Sequence, residues 1–445
     1  MRGSHLGIAG PLLALACSEP PPPGPAPFPP GPTERLTVPA APRRAVDLLY
    51  VIDNAGSAGE AQWEVALSFG ALVATLAHGL GTQPDLHVGV ISTDLGTRGV
   101  YFGPCSPPGR PAGDDGALLT NGCAGIDGTF LRDVARADGG RDVNYTGALA
   151  DRFSCMARLG TGGCPFEAPL GALDRALEPG RNPGFLRPDA TLAVVLVTNE
   201  DDCTFTDPAF FDPASTTLGP RTSFRCFEYG VRCDPDEPRT FGTHVGCHAR
   251  DDSPYLPSVA TFVERLRARH PGPRAIVAAA VYGVVDAART VEVVPDIEND
   301  PSRPRLGYTC FGQAGWGLPP IRLADFIDAF GGNAGRVCDG DQTDTMTTLG
   351  ARVGATLGVP CFAGAVHDAD PAAPGVQAQC TVGETTAATG DFHLLPACTD
   401  GLGGACWRVV EDAARCPVGA HHYLAIERPA AAPTGATLTA TCTVD

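Results

Sequence analysis

Residues 46–59 read VDLLYVIDNAGSAG, and this stretch decides the fold of the chain. Its first seven residues form an almost wholly apolar run, which predicts a strand buried on both faces of a sheet. Residues 53–59 are polar and glycine-containing, so they predict a loop. Glu60 then opens a segment with apolar side chains at three- and four-residue spacing, the pattern of an amphipathic helix. A buried strand, a loop and a helix in direct succession indicate an α/β protein.

The same alternation continues along the chain. Further strands are predicted at residues 86–93, 192–197 and 275–282, and helices at residues 147–159, 169–177, 259–269, 323–330 and 343–357. Because apolar strands alternate with helices, we predict a doubly wound, Rossmann-like and mostly parallel sheet. The intervening stretches at about 95–165, 203–257 and 284–320 lack clean periodicity. They predict long surface segments held by disulfides.

The composition excludes several function classes. The net charge of −18 opposes binding to phosphate groups, so nucleic acid is not an expected partner. Lysine is absent, and arginine supplies all 32 basic side chains. A P-loop and Schiff-base chemistry both require lysine, so neither is possible in this chain.

The 17 cysteines indicate an oxidising compartment. The two close cysteine pairs of a structural zinc site are absent from the sequence. If Cys17 is set aside, an even sixteen cysteines remain between Cys105 and Cys442. This number suits disulfides, although the sequence does not determine which cysteines pair.

The N-terminus resembles an export signal with a lipid-attachment site. Arg2 precedes an apolar run over residues 6–16, which is too short to span a bilayer but has the length of a signal-peptide core. The run ends at Ala14-Leu15-Ala16-Cys17, which resembles a bacterial lipobox, although such motifs more often have Leu at the position of Ala14. The resemblance implies a lipid on Cys17 and, with Ser18 next, sorting to the outer membrane. An ordinary cleaved signal peptide with a chance cysteine is the alternative.

These features divide the chain into four predicted parts. Residues 1–17 are the signal peptide and lipobox, and residues 18–44 are a proline-rich linker that favours an extended polyproline II spacer. Residues 45–360, here called the head, carry the strands and helices. Residues 361–445, the tail, hold six cysteines and short β-like runs, so we predict a small Cys-rich β module. Membrane contact is expected through the lipid anchor only.

The loop after the first strand resembles a known metal-binding motif. Asp53-x-Ala55-x-Ser57 between a strand and a helix resembles the first loop of a von Willebrand factor type A domain, where the pattern is Asp-x-Ser-x-Ser. Residues 195–203, VLVTNEDDC, resemble the third metal loop of that family. The resemblance covers residues 46–358, and more narrowly the chain is similar to bacterial Cys-rich surface lipoproteins. It implies a Mg²⁺ or Mn²⁺ site at the carboxyl ends of the strands, with one coordination position open to an acidic group of a partner.

Three of the five ligands that the resemblance implies are altered. Ala55 replaces a serine, Cys164 stands where the family has a threonine, and Asn199 replaces an aspartate. Asp53 and Ser57 are retained, so the candidate metal residues are Asp53, Ser57 and Asn199. Each unmade polar contact costs about 1–3 kcal/mol, so the site should be weakened by several kcal/mol. We therefore predict a degenerate site that binds Mg²⁺ or Mn²⁺ weakly or not at all.

Other acidic residues lie close enough in sequence to compensate. They are Glu167, Glu200, Asp201 and Asp202. The expected binding rim comprises Asn54, Glu200, Asp201 and Asp202. Two alternatives remain open at this point. Asp53 could be a carboxylate at the N-terminal end of a helix, bound by backbone N–H groups without metal. Asp201 and Asp202 could lie in a solvated acidic loop.

Enzymatic and zinc-binding alternatives rest on weaker patterns. Residues 55–59, AGSAG, approximate a nucleophile elbow around Ser57, with Asp202 and His422 as possible partners. The elbow of such hydrolases follows several strands, whereas Ser57 follows the first one, so we predict that the chain is not an enzyme.

His244-x-x-Cys247-His248 could bind zinc, but the nearby Cys226 and Cys233 favour a disulfide. Cys155, one short loop away, is the expected disulfide partner of Cys164.

Together these patterns predict an exported, lipid-anchored protein of adhesion type. It would lie outside the cytoplasm, at the outer membrane or cell surface, and bind a protein or surface ligand through the rim of the head. A serine hydrolase with Ser57 as nucleophile and a ligand-free structural envelope protein are the alternatives.

Overall fold

A computed structural model describes residues 31–106, 110–215, 217–271, 276–399 and 403–445. The predicted signal peptide, the lipidation site at Cys17 and the first part of the linker lie outside the described residues.

The elements follow the predicted alternation. The strands are β1 (Thr33–Pro39), β2 (Ala45–Ile52), β3 (Asp85–Ser92), β4 (Leu131–Ala135), β5 (Arg141–Val143), β6 (Thr191–Val197), β7 (Val231–Asp234), β8 (Gly242–Ala249), β9 (Ile276–Tyr282), β10 (Val291–Asp296), β11 (Asp300–Leu306), β12 (Cys310–Gly312), β13 (Gly315–Gly317), β14 (Asn333–Arg336), β15 (Cys380–Thr385), β16 (Phe392–Leu395), β17 (Cys406–Glu411), β18 (His422–Glu427) and β19 (Thr437–Thr443). The helices are α1 (Gly59–Leu80), α2 (Leu149–Ala157), α3 (Pro169–Ala176), α4 (Phe224–Gly230), α5 (Val259–Arg269), α6 (Ile321–Ala329) and α7 (Thr343–Leu357). Short 3₁₀ helices cover Gly103–Cys105 and Pro208–Phe211.

The head is built on a seven-stranded sheet of order β14-β9-β6-β2-β3-β4-β5. Neighbours among β14, β9, β6, β2 and β3 pair in parallel, whereas β4 and β5 add an antiparallel edge. Helices α1, α2 and α7 pack on one face and α3, α5 and α6 on the other. The predicted doubly wound, Rossmann-like sheet is confirmed.

Alternate residues of β2 point into the two hydrophobic cores, one on each face of the sheet. Leu48 and Tyr50 face α1, whereas Leu49 and Val51 face the opposite helices, and all four are buried. Helix α1 is long and apolar enough to cross a membrane by length and composition alone. Its Phe69 is fully buried against the sheet, which identifies α1 as a core helix.

The three stretches without clean periodicity are held by disulfides as predicted, but each also contains short strands that the sequence analysis did not identify. Strands β7, β8, β10 and β11 form a separate antiparallel sheet of order β11-β10-β8-β7, and β12 pairs with β13. Val291 and Val293 of β10 lie in the small core beneath this sheet. The strands are short, and β11 contains two prolines, so the apolar alternation was too brief to stand out.

All sixteen cysteines from Cys105 to Cys442 are paired. The bonds are Cys105–Cys164, Cys123–Cys155, Cys203–Cys226, Cys233–Cys247, Cys310–Cys338, Cys361–Cys416, Cys380–Cys442 and Cys398–Cys406. Eight disulfides indicate a protein that functions outside the reducing cytoplasm.

Two pairings bear directly on the sequence predictions. The expected Cys155–Cys164 bond was wrong, because the long loop after β3 returns Cys105 to Cys164 and leaves Cys155 for Cys123. The preference for a disulfide over zinc at Cys247 is confirmed by its bond to Cys233.

The tail is a β module that includes a strand from the predicted linker. Its sheet has the order β1-β19-β15-β16, and β17 and β18 form a hairpin. The linker prediction was therefore wrong over β1, whose seven residues pair with β19. The proline-dense run ends at Pro32, so the residues after it are free to join a ladder. Arg43 then ties the chain to the head, donating from its backbone N–H to the Leu357 carbonyl at 2.7 Å.

Candidate functional site

The loops after β2 and β6 meet at the carboxyl edge of the parallel sheet. Ile52 and Val197 are register partners, and the Asp53 amide donates to the Val197 carbonyl at 2.8 Å. Beyond the strand ends, Asn199 Nδ2 donates to Ser57 Oγ at 3.0 Å. The structure thus brings the three candidate metal residues, Asp53, Ser57 and Asn199, to one place.

Asp53 is fully buried, and both carboxylate oxygens accept hydrogen bonds. The Ala55 amide donates to Oδ1 at 2.7 Å, and the Thr198 hydroxyl donates to Oδ2 at 3.0 Å. These bonds favour the charged form, but burial outweighs them and raises the pKa of Asp53 to about 6. These contacts agree with the alternative of a carboxylate bound by a backbone N–H group in the loop before α1.

Two glutamates lie close to Asp53. Glu167, just before α3, is only 2% exposed, and its carbonyl accepts from the Cys203 amide at 2.7 Å. Burial and then the nearby charges of Glu200 and Asp53 raise the pKa of Glu167 well above its usual range. Burial also raises the pKa of Glu200 to about 7, although Ser223 opposes the shift by hydrogen bonding. Three carboxylates therefore share a poorly hydrated space.

Several oxygen atoms at this edge have no hydrogen-bond partner among the described residues. They are Thr93 Oγ1, Asn54 Oδ1 and Glu200 Oε2. Thr93 is fully buried and Asn54 is 9% exposed. Buried polar atoms are nearly always bonded in native proteins, so an orphaned group points to a missing ion, water or ligand.

Asp201 and Asp202 occupy different positions from those expected of a binding rim. Asp201 accepts from the Arg322 and Leu323 amides at the start of α6, at 2.9 and 3.0 Å. Asp202 is fully buried, accepts from the Leu170 amide at 3.0 Å, and binds the Arg322 guanidinium at 3.1 Å. Both side chains therefore stabilise helix N-termini inside the protein, and neither is the solvated loop that the sequence allowed.

Strand order and loop position together identify the architecture. The central strand β2 is followed outward by β3 and β4 on one side, and β6, β9 and β14 continue on the other. This is the 3-2-1-4-5-6 order of doubly wound sheets, and the Asp53-x-Ala55-x-Ser57 loop leaves its first strand. The head has a doubly wound α/β fold, and its first loop resembles that of a von Willebrand factor type A domain.

Comparison with known proteins gives similar structures but no close relative. No family model and no curated protein matches the sequence. A von Willebrand factor type A structure from Catenulispora acidiphila aligns with 93% of the chain and 66% of its own length, at 12% identity and a TM-score of 0.27.

Two pilus proteins also align. The pilus adhesin SpaC from Lactobacillus rhamnosus GG matches 93% of this chain and 41% of its own, at 9% identity and a TM-score of 0.30. The type V pili tip protein Mfa5 from Porphyromonas gingivalis matches 94% and 68%, at 13% identity and a TM-score of 0.23. The chain thus spans less than half of SpaC and about two thirds of the other two chains.

The oxygen donors at this rim are of the chemical types that bind a hard divalent cation. Carboxylates of Asp53, Glu167 and Glu200, the Ser57 hydroxyl and the Asn199 carbonyl are the ligand types that Mg²⁺, Mn²⁺ and Ca²⁺ prefer. Elsewhere in the described residues, Cys398, Cys406 and Glu427 form a group with ligand atoms within 4.8 Å of one another. Those two cysteines are bonded to each other, which leaves no thiolate for a metal.

Two of the three positions altered from the type A pattern offer no side-chain ligand. Ala55 is buried and apolar, and the sulfur of Cys164 is bonded to Cys105.

The three residues of the hydrolase alternative bond to different partners. Ser57 pairs with Asn199, and Asp202 pairs with Arg322. His422 lies in the tail, where its Nδ1 accepts from the Val366 amide at 2.8 Å. The structure therefore does not assemble Ser57, Asp202 and His422 into a triad.

A cleft of about 460 Å³ opens beside Glu200. Tyr308 and Trp316 line it with their rings 5.1 Å apart. Its charged lining is mixed and consists of Arg303, Arg305, Glu200, Asp296 and Glu298. These residues belong to an insertion that lacked clean periodicity, so the sequence analysis missed them. The aromatic density of residues 308–316 was the available signal. A larger cavity of about 660 Å³ lies away from this rim, beside α3 and α5, and its Asp174 and Arg175 are already engaged in ion pairs.

Proposed function

We propose that this chain is an exported, lipid-anchored protein of adhesion type that binds a protein or surface ligand at the rim of its type A head. The observation that carries the proposal is the cleft beside Glu200. It combines an aromatic wall with charged side chains of both signs beside the carboxyl edge of the sheet, where open α/β sheets bind their ligands.

Exposed apolar side chains around the cleft support an interaction surface. Phe311 is 77% exposed and Tyr308 is 51% exposed, and Ile297 at the neighbouring hairpin is 73% exposed. Aromatic residues and arginine are enriched where proteins bind one another, and tyrosine and arginine often dominate the binding energy. An exposed aromatic group beside a cleft therefore favours binding over a purely structural role.

The anchor and spacer rest on the sequence. Eight disulfides agree with an extracytoplasmic location, and Cys17 is the cysteine left for a lipid. Residues 18–32 contain the proline-dense run before β1. Their proline density predicts an extended polyproline II spacer between the lipid and the folded part. Intact mass of the native protein would test the lipid on Cys17.

Binding to immobilised surface polymers tests the cleft. The labelled mature protein would be titrated on fibrous matrix protein, mucin and peptidoglycan, with Tyr308→Ala and Phe311→Ala as variants. Phe392→Ala is the matched control, because Phe392 is 52% exposed but lies in the tail. We expect saturable binding that the two cleft variants weaken roughly 10-fold, the effect of losing one strong contact.

Two results would contradict the proposal. Equal binding by all variants would remove the cleft from the contact surface. Failure of the wild-type protein to bind any of the polymers would favour the ligand-free structural alternative.

A further inference from the structure

We propose that the cleft beside Glu200 binds a neutral glycan, whose sugar rings stack on Tyr308, Trp316 and the neighbouring Phe311. The assignment of this ligand class rests on the proposed function, because it concerns the same cleft. The proposed function itself would stand if the ligand were a protein.

Three aromatic rings form a strip that leads out of the cleft. The ring centroid of Tyr308 lies 5.1 Å from that of Trp316 and 6.3 Å from that of Phe311. Phe311 and Trp316 are register partners of β12 and β13, so their side chains lie on the same face of that hairpin. Phe311 is 77% exposed and Tyr308 is 51% exposed, so their rings are accessible to a ligand.

A strip of this kind fits the surface of a sugar. Aromatic rings carry partial negative charge on their faces. The C–H groups on one face of a pyranose ring carry partial positive charge, so they pack on an aromatic face while the hydroxyl groups point sideways to polar partners. Several rings in a row contact several sugar units, so the strip favours an oligosaccharide over a single sugar.

The charged lining of the cleft opposes an ionic ligand. Its guanidinium groups are those of Arg303 and Arg305, and its carboxylates are those of Glu200, Asp296 and Glu298. The formal charges nearly cancel, so the cleft favours neither a polyanion nor a polycation. A neutral ligand with many hydroxyl groups suits both signs, because a hydroxyl can donate to a carboxylate and accept from a guanidinium.

Polar groups around the strip remain available to sugar hydroxyls. Neither the Glu298 carboxylate nor the Thr222 hydroxyl forms a hydrogen bond or ion pair with another described residue. The Arg303 side chain is 52% exposed. Arg305 lies over the Tyr308 ring, 5.6 Å from its centroid, so a guanidinium is held beside the stacking surface. The cleft therefore offers both acceptors and donors next to the aromatic strip.

Cross-links hold the walls of the cleft in place. Cys310 of β12 is bonded to Cys338, and Cys226 of α4 is bonded to Cys203. A binding surface that is already ordered loses little conformational entropy when a ligand arrives. This favours ligands such as sugars, whose individual contacts are weak.

An extended peptide is a less suitable ligand for this cleft. Such a peptide would be added to β11, the edge strand beside the cleft. Pro301 and Pro304 of β11 have no backbone N–H groups, and Pro304 lines the cleft. A peptide would therefore gain few of the main-chain hydrogen bonds that strand addition provides.

Trp316 provides a direct signal for binding, because the chain has only three tryptophans. The mature protein would be titrated with neutral oligosaccharides of glucose, mannose and N-acetylglucosamine, and tryptophan fluorescence would be recorded. Heparin and polylysine would serve as charged probes. Tyr308→Ala and Trp316→Phe test the aromatic strip. Trp63→Phe is the matched control, because Trp63 is 47% exposed but lies on α1, outside the cleft.

We expect a saturable fluorescence change with a neutral oligosaccharide, and tighter binding of longer oligomers because the strip contacts more than one sugar. Tyr308→Ala should weaken the binding roughly 10-fold or more, the effect of losing one strong contact. Trp316→Phe should remove the fluorescence change, whereas Trp63→Phe should preserve it. Calorimetry would give the affinities of all variants independently of fluorescence.

Several results would overturn the assignment of a neutral glycan. Cleft-dependent binding to mucin that survives removal of the mucin glycans would identify a protein ligand, and the proposed function would then stand. Binding of heparin or polylysine in preference to every neutral oligosaccharide would identify an ionic ligand. Equal affinity of the oligosaccharides for Tyr308→Ala and the wild type would place their site elsewhere on the protein. Failure to bind polymers and oligosaccharides alike would contradict the proposed function as well.

Discussion

Two groups of acidic side chains lie at the carboxyl edge of the same sheet, and they differ in what surrounds them. Asp201 and Asp202 are bound by two helix N-termini and by Arg322. Asp53, Glu167 and Glu200 face one another instead. Because Glu200 and Asp201 are adjacent in sequence, residue type alone does not separate structural from functional acids. The separation depends on which helix or cation each carboxylate meets.

The largest effect on stability is expected for the group whose charges are compensated, Asp201 and Asp202. Asp202→Ala would leave Arg322, which is fully buried, without its partner and would remove the cap of α3. Breaking a buried pair in this way costs about 3–5 kcal/mol, so the free energy of unfolding in urea should fall by that amount. The double variant Asp202→Leu with Arg322→Met should recover much of the loss, because no unpaired charge remains. A loss similar to that of an exposed substitution would show that the pair is solvated.

The second effect on stability is expected for the group without a nearby cation, Asp53, Glu167 and Glu200, and it depends on pH. The pKa of Asp53 is about 6 in the folded protein against 3.8 when exposed, so the folded state binds the proton more tightly. The stability that this group contributes is present below pH 3.8 and is lost as the pH rises through about 6. Asp53→Asn should remove this dependence and, with metals chelated, raise the stability at pH 7 by up to about 3 kcal/mol.

Urea unfolding of the Asp53→Asn variant and the wild type between pH 4 and 7 would measure this difference. Parallel pH profiles for the two proteins would mean that burial does not control Asp53.

The smallest effect on stability is expected at an exposed ion pair, which serves as a reference for the two buried groups. Asp252 Oδ2 lies 3.0 Å from Arg232, but the aspartate side chain is 66% exposed. Water screens such pairs, and most of them contribute little to stability. Asp252→Asn should leave the urea midpoint unchanged within experimental error. A clear shift would mean that the exposed ion pairs of this arginine-rich chain act as a network.

Much of the head could be predicted because its signals are local. Helices α5 and α7 begin and end at the predicted residues, since an amphipathic period over eleven or more residues is distinctive. The approach of Asn199 to the Asp53–Ser57 loop followed from parallel strands whose carboxyl ends share an edge. The short strands of the insertions, and β1 in the linker, were missed because a few residues of alternation carry little signal until a partner strand is known.

The sequence by itself determined the class of the sheet, the order of the head's long elements and the even number of cysteines available for disulfides. Each of these depends on patterns within a short window or on a count. The tertiary structure alone decided that Cys105 meets Cys164 and that Glu167 faces Glu200 while Asp202 meets Arg322. Those contacts join residues that are 33 to 120 positions apart, and the fate of a buried charge depends on the atoms that folding places beside it.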